Sequence, residues 1–277
     1  MIGPDLPPRV RAYLDAIVQT CTREGRGLAS IILFGSAAKG GYAQQVSDVD
    51  LIIILPDSAS RGEREQVRNE VYCLEIDHGF KQPIAPRSLL QTFAERTGGN
   101  DLSCFVCTRS DLLSGDIARV FNLNPAEASF VDRIAFANII ASSVTVWGED
   151  LRPLVHPPQV RRLDVFKAWF AFTSQVLLSL AAYPVLPDAT RYAMGALKRS
   201  LHSSFFCYHL KTTALREEVA FFQKRLGESQ TLKQLLDLRI HYRKSFSFVL
   251  RCLPALLRLH LHTALDNRFP LQLRDKE

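Results

Sequence analysis

The chain has 277 residues, of which 47% are hydrophobic and 22% are charged, as is normal for a soluble protein of one large domain or two ordinary ones. The start of the sequence lacks the basic and apolar regions of a signal peptide, and the longest uncharged run, 168–187, contains Pro184, so neither secretion nor a membrane partner is expected. Residues 1–150 carry 14 Lys and Arg against 19 Asp and Glu, a net charge of −5, whereas residues 151–277 carry 20 against 9, a net charge of +11. This asymmetry favours cations as ligands of the first half and phosphate-rich ligands for the second.

The first half alternates helical and strand-like patterns. In chain order, the predicted elements are a helix over 7–21, strands over 28–34 and 49–55, helices over 61–78 and 86–96, a strand over 102–108, a helix over 125–142 and a strand over 144–147. Gly79 follows the second of these helix patterns, over 61–78, at the position where a helix commonly ends. This alternation predicts a mixed sheet with covering helices, within the fold class α+β.

The second half has only helical patterns. After the linker His156-Pro157-Pro158, helices are predicted over 161–183, 189–212, 214–226 and 229–266, with a break of the last one at Pro254. We therefore predict two domains, a sheet-containing domain over 1–155 and a helical bundle over 156–277.

The cysteines indicate a structural role rather than a chemical one. Cys104 and Cys107 form a C-x-x-C pair, but no second pair exists to complete a zinc site, and the pair lies in a predicted strand rather than at a helix start. The six cysteines are scattered through the sequence, which favours reduced thiols and a cytoplasmic location.

The residues that carry chemistry follow the first predicted strand. Gly35 and Ser36 come at its end, where a glycine lets the backbone approach a ligand closely and amides and a hydroxyl can bind phosphate oxygens. Asp48 and Asp50 open the next strand, and their side chains share one face because side chains alternate along a strand. Two such carboxylates repel each other unless a cation lies between them. Mg²⁺ prefers carboxylate and phosphate oxygens, so this spacing predicts a magnesium–nucleotide site.

This stretch resembles the signature of the DNA polymerase β-like nucleotidyltransferase superfamily: Gly35-Ser36, then Gly40-Gly41, then Ser47-Asp48-Val49-Asp50 at the start of a strand. The layout, with the motif domain first and helices second, is similar to that of the aminoglycoside and lincosamide nucleotidyltransferases. The resemblance implies that Gly35 and Ser36 bind a triphosphate, and that Asp48 and Asp50 ligate Mg²⁺ for attack on the α-phosphorus.

Members of this superfamily usually supply a third carboxylate from a later strand, as a metal ligand or as a general base. Asp101, at the start of the predicted strand 102–108, is the leading candidate. Glu75 or Asp77 would take this role if residues 72–77 formed a strand, although their pattern favours a helix. A third possibility is that the chain has no third carboxylate.

Three basic residues are further candidates for nucleotide binding. Lys39 lies within the glycine-containing loop and is therefore near the expected phosphates. Lys198 and Arg199 lie on a predicted helix of the basic half, from which they could reach a triphosphate across a cleft between the domains. Arg191 and His202 lie on the same predicted helix. An ordinary solvated helix face is the competing interpretation of these residues.

The sequence predicts magnesium-dependent transfer of a nucleotidyl group, with ATP as the expected donor, to an acceptor hydroxyl with release of pyrophosphate. The leading acceptor is a small molecule such as an aminoglycoside-like antibiotic, because an acidic catalytic half attracts cations. The basic second half favours an RNA 3′ end instead, such as that of a tRNA, and a protein hydroxyl is a further alternative. The remaining hypothesis is a catalytically silent, antitoxin-like nucleotide-binding module.

Overall fold

The computed structural model describes residues 6–23, 26–39, 49–81, 103–123, 133–157, 159–186 and 188–266. The first part contains α1 (Pro8–Thr22), β1 (Ser30–Phe34), α2 (Gly35–Ala38), β2 (Asp50–Leu55), α3 (Arg61–Asp77), β3 (Cys104–Thr108), α4 (Arg109–Leu113), α5 (Ile117–Val120), α6 (Arg133–Ser142) and β4 (Val144–Gly148). A short 3₁₀ turn (Arg152–Leu154) leads to α7 (Arg162–Ala181), α8 (Ala189–His209), α9 (Leu215–Leu226), α10 (Gln230–Ile240) and α11 (Phe246–Leu265). The predicted helix over 86–96 and the first part of the one over 125–142 lie outside the described residues.

The four strands form one mixed sheet in the order β3-β2-β1-β4. β1 pairs antiparallel with both β2 and β4, and β2 pairs parallel with β3. Every residue of β1 is buried, and so is every residue of β2 after Asp50. Such continuous burial explains why both strands are unbroken apolar runs. The fold class α+β is confirmed.

Helices α1 and α3 cover one face of this sheet. Tyr13 and Ile17 of α1 and Val71 of α3 pack in one cluster with Leu33 and Leu51, which alternate with residues of the opposite face. On that opposite face the rings of Phe34 and Phe105 are stacked with centroids 6.1 Å apart, and Phe121, just after α5, lies 4.5 Å from Phe105. Both faces of the sheet are therefore covered by apolar side chains.

Local signals fix the ends of α3. Ser60 Oγ accepts a hydrogen bond from the amide of Glu63 at 3.2 Å, and the Glu63 carboxylate accepts one from the amide of Ser60 at 2.6 Å, which together form a capping box. At the other end, Gly79 has a φ of +70°, and its amide donates to the carbonyl of Ile76 at 2.8 Å. The predicted helix over 61–78 is confirmed.

The chain divides into two compact units. The described residues of the first are 6–23, 26–39, 49–81, 103–123 and 142–157, and those of the second are 133–141 and 159–266. In the second unit α8 is the central helix, with fifteen of its 21 residues buried. Ile134 and Ala137 of α6 pack there with Phe206 of α8, so α6 belongs to the helical unit although it precedes residue 155. The domain boundary after residue 155 stays a prediction.

The predicted helix over 229–266 is two helices, and the break at Pro254 was wrong. The chain leaves the helix after Ile240 and re-enters it at Phe246, where Ser245 Oγ accepts a hydrogen bond from the amide of Phe248 at 3.3 Å. Pro254 lies inside α11 without ending it. Its side chain is exposed, and a carbonyl that loses its helical partner on the solvent side can be hydrated instead.

Helix α11 passes a length and composition test for a membrane span, and it is the one helix among the described residues that does so. In the 18-residue stretch of α11 that meets this test, 44% of the residues are buried inside the protein. Buried helices of soluble proteins pass the same test, so this finding is weak support for a membrane segment.

Candidate active site

β1 ends at Phe34, and Gly35 follows it directly. Gly35 has a φ of +72°, a backbone conformation that residues with a side chain rarely adopt, and it starts the short helix α2. Ser36 is buried with 7% exposure, and Lys39, which is half-buried, follows α2 directly. The predicted Gly-Ser turn therefore lies at the end of a buried strand, as the sequence indicated.

Asp50 lies directly against this turn. The antiparallel register places Phe34 opposite Asp50, so Gly35 is the next residue beside the Asp50 carboxylate. A β-carbon on Gly35 would lie 2.0 Å from Asp50 Oδ2 and 3.0 Å from its carboxyl carbon. The Asp50 carboxylate thus occupies the space that a side chain at position 35 would need, and two of the predicted site residues are brought together.

The chemical groups at the end of β1 and the start of β2 suit Mg²⁺. Asp50 supplies a hard carboxylate oxygen, of the kind that Mg²⁺ prefers, and this carboxylate lies directly against the Gly35 turn. Asp48, the second predicted ligand, lies outside the described residues. Within the described ranges no group of three His, Cys, Asp or Glu side chains could hold a metal ion. The described part of the site therefore fits the predicted ion through Asp50 alone.

Glu75 is engaged by neighbours within its own unit. Its segment is helical, as predicted, and its side chain is 3% exposed. One carboxylate oxygen lies 2.9 Å from Lys81 Nζ, and the other accepts a hydrogen bond from Ser103 Oγ. The carbonyl of Ser103 in turn accepts a hydrogen bond from the amide of Leu51 at 2.7 Å. Glu75 therefore ties α3 to the residues that flank the start of β2, rather than pointing freely towards a ligand.

The other candidates for a third carboxylate differ in position. Asp101 lies outside the described residues, so its role stays a prediction. Asp77 is the last residue of α3 and is exposed. Since α3 is helical up to Asp77, the strand that would have favoured Glu75 or Asp77 does not exist.

Tyr13 of α1 is a neighbour of this edge that the sequence analysis missed. Burial raises the pKa of its phenol far above the usual value, and the carboxylates of Glu75 and Asp50 add to the rise. Tyr13 therefore stays protonated and cannot serve as a general base. In the sequence Tyr13 shares the apolar stripe of α1, and that pattern alone cannot distinguish it from an ordinary core residue.

The basic candidates of the second half all lie on α8 in the helical unit. Arg199 donates a hydrogen bond to Gln175 and lies 5.9 Å from the centroid of the Phe172 ring. His202 Nδ1 lies 2.6 Å from a carboxylate oxygen of Glu218, which is fully buried. Lys198 is half-buried. The roles of Lys198 and Arg199 in nucleotide binding stay predictions.

The C-x-x-C pair is confirmed as part of the core. Both thiols lie on β3 and are buried. Burial raises the pKa of Cys107 to about 12 and that of Cys104 well above its usual value. Both are therefore protonated near neutral pH, and a protonated thiol is a poor nucleophile and a poor metal ligand.

A family model described as a nucleotidyltransferase domain matches residues 14–92, which include the Gly35 turn and Asp50. The chain carries a nucleotidyltransferase domain of the DNA polymerase β-like superfamily. With this domain the chain is a nucleotidyltransferase, and nucleotidyl transfer is its reaction class. The match covers the edge of the sheet at which the site was predicted.

One solved structure supports the two-part layout of this nucleotidyltransferase. It is the crystal structure of spectinomycin adenyltransferase AAD(9) from Enterococcus faecialis with ATP and spectinomycin. The likeness has a TM-score of 0.50 at 10% sequence identity and covers 91% of this chain and 98% of that one. At this identity the likeness shows the fold. No curated protein matches the chain.

Proposed function

We propose that this nucleotidyltransferase transfers AMP from ATP, with Mg²⁺, to a hydroxyl group of a small aminoglycoside-like molecule. The observation that carries the proposal is the contact between Gly35 and the Asp50 carboxylate inside the matched domain. A carboxylate oxygen, of the kind that binds Mg²⁺, beside a turn whose amides could bind phosphate oxygens supports this proposal. The six cysteines, all of which lie among the described residues, form no disulfide there, and this supports the proposal of a cytoplasmic location.

Each residue of the turn has a distinct part in this proposal. Gly35 leaves its backbone open to the phosphates, and Ser36 offers a hydroxyl and an amide to them. Asp50, with the predicted Asp48, would hold the ion, which when bound draws the phosphate oxygens together and offsets their charge. The acceptor oxygen bonds to the α-phosphorus while the bond from that phosphorus to pyrophosphate breaks, and the acceptor proton passes to a base. Asp101 is the proposed base.

Two observations bear on the acceptor. The net charge of −5 over residues 1–150 favours a cationic small molecule, and the similar adenyltransferase structure contains spectinomycin. The net charge of +11 over residues 151–277 favours a second candidate, an RNA 3′ end, because Lys and Arg contacts to phosphates provide most nonspecific affinity for RNA.

Label transfer separates these acceptors. The protein is incubated with Mg²⁺ and each of the four nucleoside triphosphates labelled at the α-phosphate, together with spectinomycin, related aminoglycosides, total RNA or a protein extract. The proposal expects label from ATP in a small-molecule product, and none with Asp50→Asn. Label in RNA that is lost as salt is raised would favour the second candidate. Label that Asp50→Asn still transfers would contradict both, because both depend on the same site.

A further inference from the structure

The outer face of α7 is apolar and exposed. Leu163, Phe166, Phe170 and Leu177 recur at helical spacing on one side of this helix, and each is at least 42% exposed. The opposite side is already used, because Val165, Ala168 and Val176 are buried there. This helix therefore has two apolar faces, and among the described residues side chains cover only one of them.

A second exposed apolar stripe runs the length of α11. Phe246, Leu250, Leu257, Leu261 and Leu265 recur at intervals of four or seven residues, and their exposures lie between 40% and 70%. A helix of this length spans about 30 Å. The stripe is therefore long enough to meet a helix of similar length along its whole extent.

The two stripes belong to neighbouring antiparallel helices. The ring centroids of Phe172 in α7 and His260 in α11 lie 6.0 Å apart. The ring centroid of Tyr183, just after the end of α7, lies 5.1 Å from that of Phe246, at the start of α11. Helix α8 packs on both: its Arg199 donates to Gln175 of α7, and its Ser200 Oγ lies 2.5 Å from His260 Nε2 of α11. Since α8 occupies the inner side of this pair, the stripes remain on the outer side.

The α7–α11 face, defined as these nine exposed side chains, is large for a monomer. With about 150 to 200 Å² for each fully exposed side chain, their exposed fractions leave about 700 to 900 Å² of apolar surface. The largest apolar patch of a typical monomer is about 300 to 600 Å². A stable interface of standard size buries about 800 Å² on each partner. The α7–α11 face therefore supplies the area of one side of such an interface.

Two arginines that border the α11 stripe point towards neighbouring helices rather than over the stripe. Arg251 donates to Gln234 of α10 at 3.0 Å, and Arg258 donates to the carbonyl of Leu226 at the end of α9. Both guanidinium groups are thus held by the neighbouring helices within the same chain. They are held away from the stripe, so they do not prevent two copies of it from meeting, although their positive charge would weaken the contact at low salt.

We propose that the α7–α11 face is the interface of a homodimer, and that a second copy of this chain is its occupant. In a two-fold symmetric contact each stripe meets the same face of the other copy, so one apolar surface is enough for both partners. The two helix pairs then form a four-helix layer that buries both stripes. This inference does not depend on the reaction that the other unit catalyses.

The test is the mass of the intact protein by sedimentation equilibrium, from about 1 to about 100 µM. Wild type is expected at twice the 31.2 kDa chain mass. Phe170→Glu and Leu257→Glu each place a charge in the interface twice, once from each copy, and are expected to raise the dissociation constant by about 100-fold or more. Leu154→Glu is the matched control, because Leu154 is also an exposed leucine but lies in the other unit, and it should remain dimeric.

Circular dichroism and thermal unfolding at about 1 µM, where the variants are monomeric, check that they fold. Raising the salt concentration should strengthen the wild-type dimer, since it screens the flanking arginines. A wild-type protein of 31.2 kDa at every concentration would overturn the proposal. So would a monomer that floats with anionic phosphatidylglycerol vesicles and loses this binding with Leu257→Glu or with salt, because the face would then be a membrane contact.

Discussion

Gly35 and Asp50 are in such close contact that no side chain fits between them: a β-carbon on Gly35 would lie 2.0 Å from Oδ2 of Asp50. The register of β1 and β2 sets this contact, because Phe34 pairs with Asp50. Position 35 therefore requires glycine for two reasons. Its φ of +72° disfavours any residue with a side chain, and the Asp50 carboxylate fills the space that a side chain would need. This contact is the geometric core of the proposed nucleotide site.

Gly35→Ala should abolish most of the activity and lower the stability. The new methyl group must displace the Asp50 carboxylate, and an alanine at positive φ adds about 1 to 2 kcal/mol of backbone strain. We expect label transfer to fall by about 100-fold or more, because small displacements of positioning groups reduce rates by that order. Urea unfolding and label transfer measure the two effects.

Gly62→Ala is the matched control for that substitution. Gly62 lies in the first turn of α3, and the nearest atom to its new β-carbon would be Ser60 Oγ at 3.8 Å. The same substitution should therefore stabilise the protein, by about 0.5 to 1 kcal/mol, and leave activity unchanged. Equal losses of activity in both variants would show that the Gly35 effect is not specific to its contact with Asp50.

Substitutions of Glu75 and Lys81, which form an ion pair, should have strongly non-additive effects on the free energy of unfolding. Lys81→Met leaves a buried, uncompensated carboxylate and is expected to cost about 3 to 5 kcal/mol. Glu75→Gln keeps an acceptor for Ser103 Oγ and should cost less. The double variant should be more stable than Lys81→Met alone. Denaturant unfolding of the four proteins measures the coupling free energy.

Additive losses in that cycle would contradict the structure. They would mean that Lys81 does not compensate the Glu75 carboxylate, and that Glu75 is free for another role. Arg61 and Glu65, an exposed pair on α3 with atoms 3.3 Å apart, provide the reference cycle. Their coupling should be below about 0.5 kcal/mol, because water and salt screen exposed pairs.

His260 should make the protein less stable in mild acid. Burial lowers the pKa of this imidazole to about 3, so it stays neutral in the folded protein, whereas in the unfolded chain it titrates near its ordinary 6.5. Between these two values the unfolded chain binds more protons. The free energy of unfolding therefore falls as the pH falls through this window, by up to about 1.4 kcal/mol per pH unit from this group.

Urea unfolding between pH 4 and pH 7 tests this dependence in wild type, His260→Gln and His241→Gln. The glutamine at position 260 cannot take up a proton, so this variant should lose much of the acid sensitivity even if it is less stable at pH 7. His241 is an exposed histidine, and its replacement is the matched control. A slope that is the same in all three proteins would show that His260 binds protons equally in the folded and the unfolded chain, which would contradict the lowered pKa.

The sheet and the site turn could be predicted because their signals are local. β1 and β2 are uninterrupted apolar runs, and Gly35 and Asp50 lie at their ends. The short helix α4 was missed although Thr108 and Asp111 form a capping box, a pattern that is visible in the sequence. The break between α10 and α11 was misplaced because residues 241–245 contain no glycine or proline, whereas the exposed Pro254 offered a false signal.

Other features depend on tertiary contacts that local patterns do not encode. The pairing of Glu75 with Lys81 requires the turn at Gly79, which returns the chain towards α3. The hydrogen bond from Ser103 to Glu75 joins residues 28 positions apart. For the same reason the periodicity of α3 identified its buried face but could not show that its one buried carboxylate is compensated.

Magnesium-dependent binding of ATP measures the proposed role of Asp50 without the need for an acceptor. Isothermal titration calorimetry compares wild type, Asp50→Asn and Asp15→Asn, the last being an exposed aspartate of α1. Mg²⁺ is expected to strengthen ATP binding to wild type and to Asp15→Asn, whereas Asp50→Asn should bind ATP at least about 10-fold more weakly and gain nothing from the ion. Equal, magnesium-dependent affinity in all three proteins would contradict the proposed role of Asp50.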